Sequence, residues 1–253
     1  MPEQTTKYVA DAAQAVADVH DGASLAFGGF GLCGIPETLI RAVGDTGAGD
    51  LRLVSNNCGT DDRGLGLLLA SGQVSRVTAS YVGENKLFAD LYLTGALEVE
   101  LIPQGTLAER LRAGGMGIPA FYTPAGVGTP AAEGGIPLRH APDGSVAKAG
   151  PPKEIRTFNG RDHVLETAIT CDFALVHAAR GDRHGNLAFH SSARNFNPLA
   201  ALAGRITIAE IEEFVGELPP DEVHLPGIFV QRVLPLTPAQ AADKTIEKRT
   251  VRL

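Results

Sequence analysis

Six residues near the start of the chain have the types and spacing of a phosphate cradle. Gly29-Phe30-Gly31-Leu32-Cys33-Gly34 reads G-x-G-x-x-G, between an apolar run at 25–27 and a segment with helical spacing. In a dinucleotide fold the first glycine makes a tight turn, the second lets backbone approach a pyrophosphate, and the third lets the helix pack on the sheet. That chemistry also needs an acidic residue at the end of the second strand, about 20 positions on, for the ribose hydroxyl. Here the second strand-like run, Leu51–Val54, ends in Ser55-Asn56-Asn57, and Asp50 stands at its wrong end. Pro36, two residues after the last glycine, also removes an N–H from the helix start. The dinucleotide reading fails on this context. Two readings stay open: a turn where only residues without Cβ fit, or a loop that brings backbone close to a different ligand.

Other chemistry-bearing residues are scattered. His184 and His190 match no usual zinc spacing and have no cysteine near them in sequence, so no metal is expected. Asp182 to Asn186 reads as a turn between two strands. Arg194 is either a structural ion-pair partner or an anchor for a carboxylate or phosphate. Cys33, Cys58 and Cys171 form no C-x-x-C pair and have no adjacent base. They read as reduced, inert thiols. Phe30 either orients the glycine loop against a ligand or packs in the core.

The elements that must position these residues alternate. Val9, Ala12, Ala13, Val16 and Val19 have helical spacing, closed by Asp21-Gly22. A strand at 25–27 follows, then a helix whose first turn suits Pro36 and whose buried face is Leu39, Ile40 and Val43. Leu51–Val54, 76–80 and 99–102 read as strands; 65–69, Lys86–Leu93 and 107–112 read as helices. Short connections between them imply parallel strands with right-handed crossovers, hence an α/β fold with an open, mainly parallel sheet flanked by helices. After Arg112 the pattern changes. Residues 114–152 are rich in Gly, Pro and Ala, and E-I-R-T-F-N-G-R-D-H-V-L reads as a hairpin about Asn159-Gly160. An irregular hairpin excursion is expected over about 130–165. Strand character returns at 173–179, 186–190 and 205–211, and a polar tail fills 236–253. No internal repeat stands out, and the whole of 1–253 is expected to be one domain.

The totals bound the function. The chain has 253 residues, 44% hydrophobic and 20% charged, enough for a sizeable core. A net charge of −7 supplies no basic field for nucleic acid or an acidic membrane. The polar N-terminus lacks the layout of a secretory signal, and no apolar run approaches the roughly 20 residues of a membrane span. A cytoplasmic location follows as an expectation.

Longer motifs narrow the reading. D-G-A-S-L-A-F-G-G-F-G-L-C-G-I-P (21–36) is followed in order by S-N-N-C-G (55–59), S-Y-V-G-E-N-K (80–86) and P-Q-G-T-L-A-E-R-L-R-A-G-G-M-G (103–117). P-A-F-Y-T-P-A-G-V-G-T (119–129), D-F-A-L-V (172–176), D-R-H-G-N (182–186) and S-A-R-N-F-N-P (192–198) complete the set. Together they resemble the first (A) subunit of family I coenzyme A transferases over nearly the whole chain, with the 3-oxoacid branch nearest. The resemblance implies a fold related to that of the phosphosugar isomerases. It implies coenzyme A as a substrate, with no permanently bound cofactor, and acyl-CoA and carboxylic acids as ligands. It makes Gly28, Gly29, Phe30, Gly31, Leu32, Cys33 and Gly34 the coenzyme A loop.

The reaction implied is transfer of coenzyme A between succinyl-CoA and acetoacetate through a glutamyl thioester, with ping-pong kinetics. Its glutamate is expected on a partner B subunit, in an A2B2 assembly. The nearest local match to the nucleophile's S-E-N-G motif, Gly83-Glu84-Asn85-Lys86, falls inside a motif of the A-type chain itself, so Glu84 reads as a decoy. Gln104 is implied as an oxyanion donor, since an amide donates hydrogen bonds without competing as a nucleophile; the bare sequence alone reads it as a loop amide tying down Gly105-Thr106. Asn56 and Asn57 are implied to line the substrate pocket, against plain turn formation before Gly59. The alternatives are another acyl pair, such as 3-oxoadipate or acetate with succinyl-CoA, and a non-catalytic ligand-binding module on the same fold.

Overall fold

Side-chain alternation explains the sheet. In β1 (Ser24–Phe27), Leu25 and Phe27 join one hydrophobic cluster and Ala26 joins another, as the two-residue period of a strand buried on both faces requires. The computed structural model, which describes residues 7–244, builds outward from that strand. In chain order α1 (Ala12–Ala15) precedes β1. Then come α2 (Glu37–Thr46), β2 (Leu51–Val54), α3 (Gly66–Ala70), β3 (Val74–Ala79), α4 (Lys86–Leu93), β4 (Glu98–Leu101) and α5 (Gln104–Gly115). The chain leaves the sheet for β5 (Ala120–Thr123), α6 (Pro130–Glu133), β6 (Pro137–His140), β7 (Val146–Ala149), β8 (Ile155–Phe158) and β9 (Arg161–Thr167). It returns with β10 (Cys171–Gly181), β11 (Leu187–Ala188), α7 (Asn197–Ala203), β12 (Gly204–Phe214), β13 (Arg232–Pro235) and α8 (Pro238–Ala242).

The main sheet runs β13-β12-β10-β1-β2-β3-β4, all parallel, with β11 antiparallel to the end of β10. Leu39 and Ile40 of α2, Leu68 of α3 and Phe88 of α4 pack one face. Leu107 and Leu111 of α5, with Ala200 and Ala201 of α7, pack the other against Ala26, Ala174 and Ala209. The small residues on that second face let α7 lie close to the strands. The open, mainly parallel sheet flanked by helices is therefore as expected. The chain moves one way from β1 to β4 and the other way from β10 to β13, so the order reverses between β1 and β10. In open α/β sheets the usual ligand crevice lies above such a reversal. No helix of the described residues is long and apolar enough to cross a membrane.

Several expectations need correction. The helix expected over 9–19 is helical only in α1, because Tyr8 bridges Val233 and the Val9 N–H donates to the Val233 carbonyl at 3.0 Å. Pairing with a strand over 200 positions away overrides the local helical spacing. The excursion expected as irregular over 130–165 spans β5 to β9 and is regular. It holds an antiparallel sheet β5-β9-β8 and the hairpin β6-β7. Its Asn159-Gly160 turn, at φ 50° and 74°, is as expected. The strand at 186–190 shortens to β11. A local repeat is also present: Gly29–Gly34 and Gly59–Gly64 each enclose a tight hairpin, bridged Phe30 to Cys33 and Thr60 to Arg63. Gly34 and Gly64 close them at φ 65° and 64°, a conformation that favours glycine. Of the polar tail, α8 is formed; residues 245–253 lie outside the described residues, as do 1–6 of the N-terminal segment.

Candidate active site

At the β1–β10 reversal the protein ties down its own side chains, and beside them a pocket of about 360 Å3 stays open, lined by Leu32, Glu37, Arg41, His177 and Glu210. Asn197, fully buried at the start of α7, donates from Nδ2 to the carbonyls of Gly34 and Ala193, each at 2.8 Å. Its Oδ1 accepts the His177 N–H at 2.9 Å. A Cβ on Gly28 would stand 1.8 Å from that Oδ1, so glycine is required there for close approach. The start of α2, where a dinucleotide pyrophosphate would sit, is also taken: the Leu39 N–H donates to Glu210 Oε2 at 3.0 Å. Glu210 Oε1 lies 2.9 Å from His177 Nδ1, and Glu212 Oε1 lies 2.8 Å from His177 Nε2. Both the missing ribose acid and this plug exclude the dinucleotide reading.

The glycine loop is a hairpin rather than a cradle. Phe30 and Cys33 exchange backbone hydrogen bonds at 3.0 Å, and the Gly28 N–H donates to the Leu175 carbonyl at 3.0 Å. Those three amides are committed within the protein, so the loop does not wrap a phosphate with them. Its far side is held by Asn195, whose Nδ2 donates to the Cys33 carbonyl at 3.1 Å. What projects is the tip. Phe30 is 49% exposed, which sets aside one of its two readings, packing in the core, and Gly31 and Leu32 are half-buried beside it.

The polar side of the site comes from three successive strand ends. Asn56 follows β2, Ser80 follows β3, and Gln104 opens α5 after β4. Gln104 is exposed, and its Nε2 donates to Asn56 Oδ1 at 2.8 Å. The same oxygen accepts Ser80 Oγ at 2.8 Å, and the Ser80 N–H donates to the Asn56 carbonyl at 3.0 Å. Asn56 is only 1% exposed and lies beneath Gln104. The two asparagines thus differ: Asn57 is half-buried and its Oδ1 accepts the Gly59 N–H at 3.3 Å, a turn contact. Helix α5 starts at Pro103 with no side-chain cap and no acid in its first turn. Its unpaired N–H groups and positive dipole end therefore lie beside the Gln104 amide. A groove of about 390 Å3 opens there, lined by Pro103, Gly105, Thr106, Phe121 and Tyr122. Thr106 Oγ1 is buried beside it without a hydrogen-bond partner among the described residues.

The remaining candidates sort by environment. Glu84 is exposed in the loop after β3, and the motif around it is explained by Asn85. That buried side chain caps α4 by accepting the Phe88 N–H at 2.8 Å and donates to the Cys58 carbonyl at 3.2 Å. Burial pushes the Cys58 thiol far up and the Cys171 thiol up to about 12, so neither is a nucleophile at neutral pH. Asp182 orders its turn by accepting the His184 and Asn186 N–H groups. Arg194 is exposed beside the glycine loop, and no ion pair to it occurs among the described residues. Sequence reasoning missed Ser80, Asn197, His177 and Glu210. A signal existed for His177 and Glu210, each a titratable residue inside an otherwise apolar strand run.

A family model for coenzyme A transferases matches residues 9–235. In Mycobacterium tuberculosis, a protein named as the probable A-type subunit of succinyl-CoA:3-ketoacid coenzyme A transferase is 62% identical over 249 residues, covering 97% of this chain and 99% of that protein. The mitochondrial succinyl-CoA:3-ketoacid coenzyme A transferase 2 of Homo sapiens is 52% identical over 99% of this chain, which spans 48% of the human protein. Among solved structures, the acyl-CoA transferase (YdiF) apoenzyme of Escherichia coli O157:H7 has the same fold, with TM-score 0.76 at 24% identity. That match covers 93% of this chain and 48% of the bacterial one.

Proposed function

The chain belongs to the coenzyme A transferase family, and from that premise we propose that it is the A-type subunit of a succinyl-CoA:3-ketoacid transferase, one half of a shared active site. The observation that carries this reading is the Gln104 amide, anchored at 2.8 Å to buried Asn56 at the open carboxyl edge of the sheet. It is a fixed donor with no activated nucleophile offered beside it among the described residues. The nucleophile belongs to a partner B subunit, and A2B2 is the assembly proposed. Glycine-loop residues 28–34 wall the coenzyme through the tip at exposed Phe30, and Asn57 faces the acyl carboxylate.

In this reaction a glutamate carboxylate of the partner attacks the thioester carbonyl of succinyl-CoA. The carbon–sulfur bond breaks, coenzyme A leaves as thiolate, and a succinyl-glutamyl anhydride forms. The thiolate then attacks the glutamyl carbonyl and releases succinate, leaving an enzyme thioester. Acetoacetate repeats both steps in reverse order and departs as acetoacetyl-CoA, restoring the carboxylate. Each step places negative charge on a carbonyl oxygen. A second N–H of Gln104 and the start of α5 stabilise that charge.

The test is intact mass spectrometry after incubation with acetoacetyl-CoA, on this chain alone and on its complex with the B subunit. A coenzyme A adduct confined to the B subunit is expected. An adduct on this chain alone overturns the half-site reading.

A further inference from the structure

We infer that Ser80 is a positioning residue for catalysis, holding the Gln104 amide through Asn56; the inference rests on Gln104 being the oxyanion donor proposed above. An exposed glutamine has many rotamers, and an oxyanion donor is effective only when its N–H is aimed before charge develops. The side-chain bond that restrains Gln104 runs to Asn56 Oδ1, at 2.8 Å. A carboxamide oxygen has two acceptor sites, and Ser80 Oγ takes the other at 2.8 Å, its single proton directed there rather than to the more distant Asn56 carbonyl at 3.1 Å. Asn56 is 1% exposed, so water does not readily replace a lost partner. With both sites filled, Asn56 keeps its oxygen toward Gln104 and its own amide cannot turn over.

The arrangement uses the sheet as a ruler. After a register shift between Leu51 and Arg52, β2 and β3 pair in step from Arg52 and Arg76 to Val54 and Thr78. The next backbone bonds, Ser55 N–H to the Thr78 carbonyl at 3.1 Å and Ser80 N–H to the Asn56 carbonyl at 3.0 Å, carry that register beyond the strands. Ser80 is thus fixed at the backbone as well as at the hydroxyl, and it cannot drift from Asn56 when Gln104 is replaced. Gln104 reaches across the end of β3 to Asn56, the second residue after β2. The donor's aim is therefore set by a strand its own helix does not follow.

The test is a double-mutant cycle in the assembled complex, reading kcat and KM for acetoacetyl-CoA with succinate, and thermal unfolding for each variant. Ser80→Ala is expected to lower kcat three- to tenfold, roughly the worth of one hydrogen bond, with KM unchanged and the unfolding midpoint lowered by no more than about 2–4 °C. Ser80→Thr, which keeps the hydroxyl, should restore turnover. In a Gln104→Ala background, Ser80→Ala should cost nothing further, since its effect passes through that amide. Wild-type kcat in Ser80→Ala overturns the inference, as does an equal loss in both backgrounds while Gln104→Ala itself is slow. A Gln104→Ala enzyme with wild-type turnover would instead sink the reading of Gln104 beneath it.

Discussion

The two sides of β1 have opposite fates. Toward β10, where an open α/β sheet ordinarily takes its ligand, Asn197 and Glu210 are tied into the backbone by hydrogen bonds of 2.8–3.0 Å, and Glu210 walls a pocket of about 360 Å3. Toward β2, β3 and β4 the strand ends stay open and present Asn57, Ser80 and Gln104. The glycine loop stands between them, fastened through Gly34 and Cys33 and with Phe30 exposed at its tip. The β1–β10 side anchors the glycine loop, and the proposed oxyanion donor stands further along the sheet. A glycine-rich loop after the first strand therefore does not by itself locate a ligand.

Breaking the open side should give the largest effect. Gln104→Ala removes the exposed donor without touching the core, so the complex should assemble normally while kcat falls about 10²- to 10³-fold, the typical cost of one oxyanion donor. Steady-state kinetics on the purified complex measures it. Breaking the closed side should instead cost stability. Asn197→Ala strands the Gly34 and Ala193 carbonyls and the His177 N–H in a buried site, worth about 3 kcal/mol. Urea unfolding of the chain would show it. Gly28→Ala should be destabilising in the wild type, where its Cβ meets Asn197 Oδ1, and milder once Asn197 is alanine. Additive effects there would mean that the plug does not set the loop.

The same division governs what the sequence reveals. Helix α4 and strand β2 were legible to the residue, since apolar spacing and Asn85 mark them locally. The start of α5 at Gln104 was not, because Gly105 is a poor helix former and the run reads as a loop. Candidate residues on the open side, Asn56, Asn57 and Gln104, could be read because they fall in motifs within three residues of a strand end, whereas Ser80, directly after β3, was missed although it opens such a motif. The plug could not: Asn197 and Glu210 bond partners 163 and 171 positions away. Nothing local distinguishes a buried structural asparagine from a surface one. Asn56 fell between the two, since its place after β2 was readable while its burial beneath Gln104 depended on the register of β3.

Acid should weaken the closed side at a distance from the site. Asp182, fully buried at the end of β10, is pushed up by burial, but donors outweigh this and hold it below the ordinary 3.8. Asn186 Nδ2 and the Leu218, Asn186 and His184 N–H groups supply them. A carboxyl depressed in the folded state contributes stability that is complete above its unfolded value. That contribution is lost as pH falls through the folded value. Stability should thus decline below about pH 4, and Asp182→Asn should be less stable at neutral pH with a flatter acid limb. Chemical denaturation at a series of pH values checks both. An unchanged acid limb would assign acid lability to other carboxylates.

The smallest effect sharpens the comparison most. Glu84 sits on the open side, in a G-E-N-K sequence that imitates a nucleophile, and its exposed carboxylate is the acidic group a search for the missing glutamate reaches first. The structure assigns the motif's fixed element to Asn85, which caps α4 and ties it to Cys58. Among the described residues, nothing holds Glu84 toward the Gln104 amide. Glu84→Gln keeps shape and hydrogen-bonding capacity while removing nucleophilicity. In the complex it should turn over within about twofold of wild type, as surface changes away from a site do, and the coenzyme A adduct should remain on the B subunit. Asn85→Ala, by contrast, should destabilise the chain by about 1 kcal/mol through the lost cap. A dead Glu84→Gln enzyme that still folds and assembles would place the nucleophile on this chain. The open side would then be a whole active site rather than half of one.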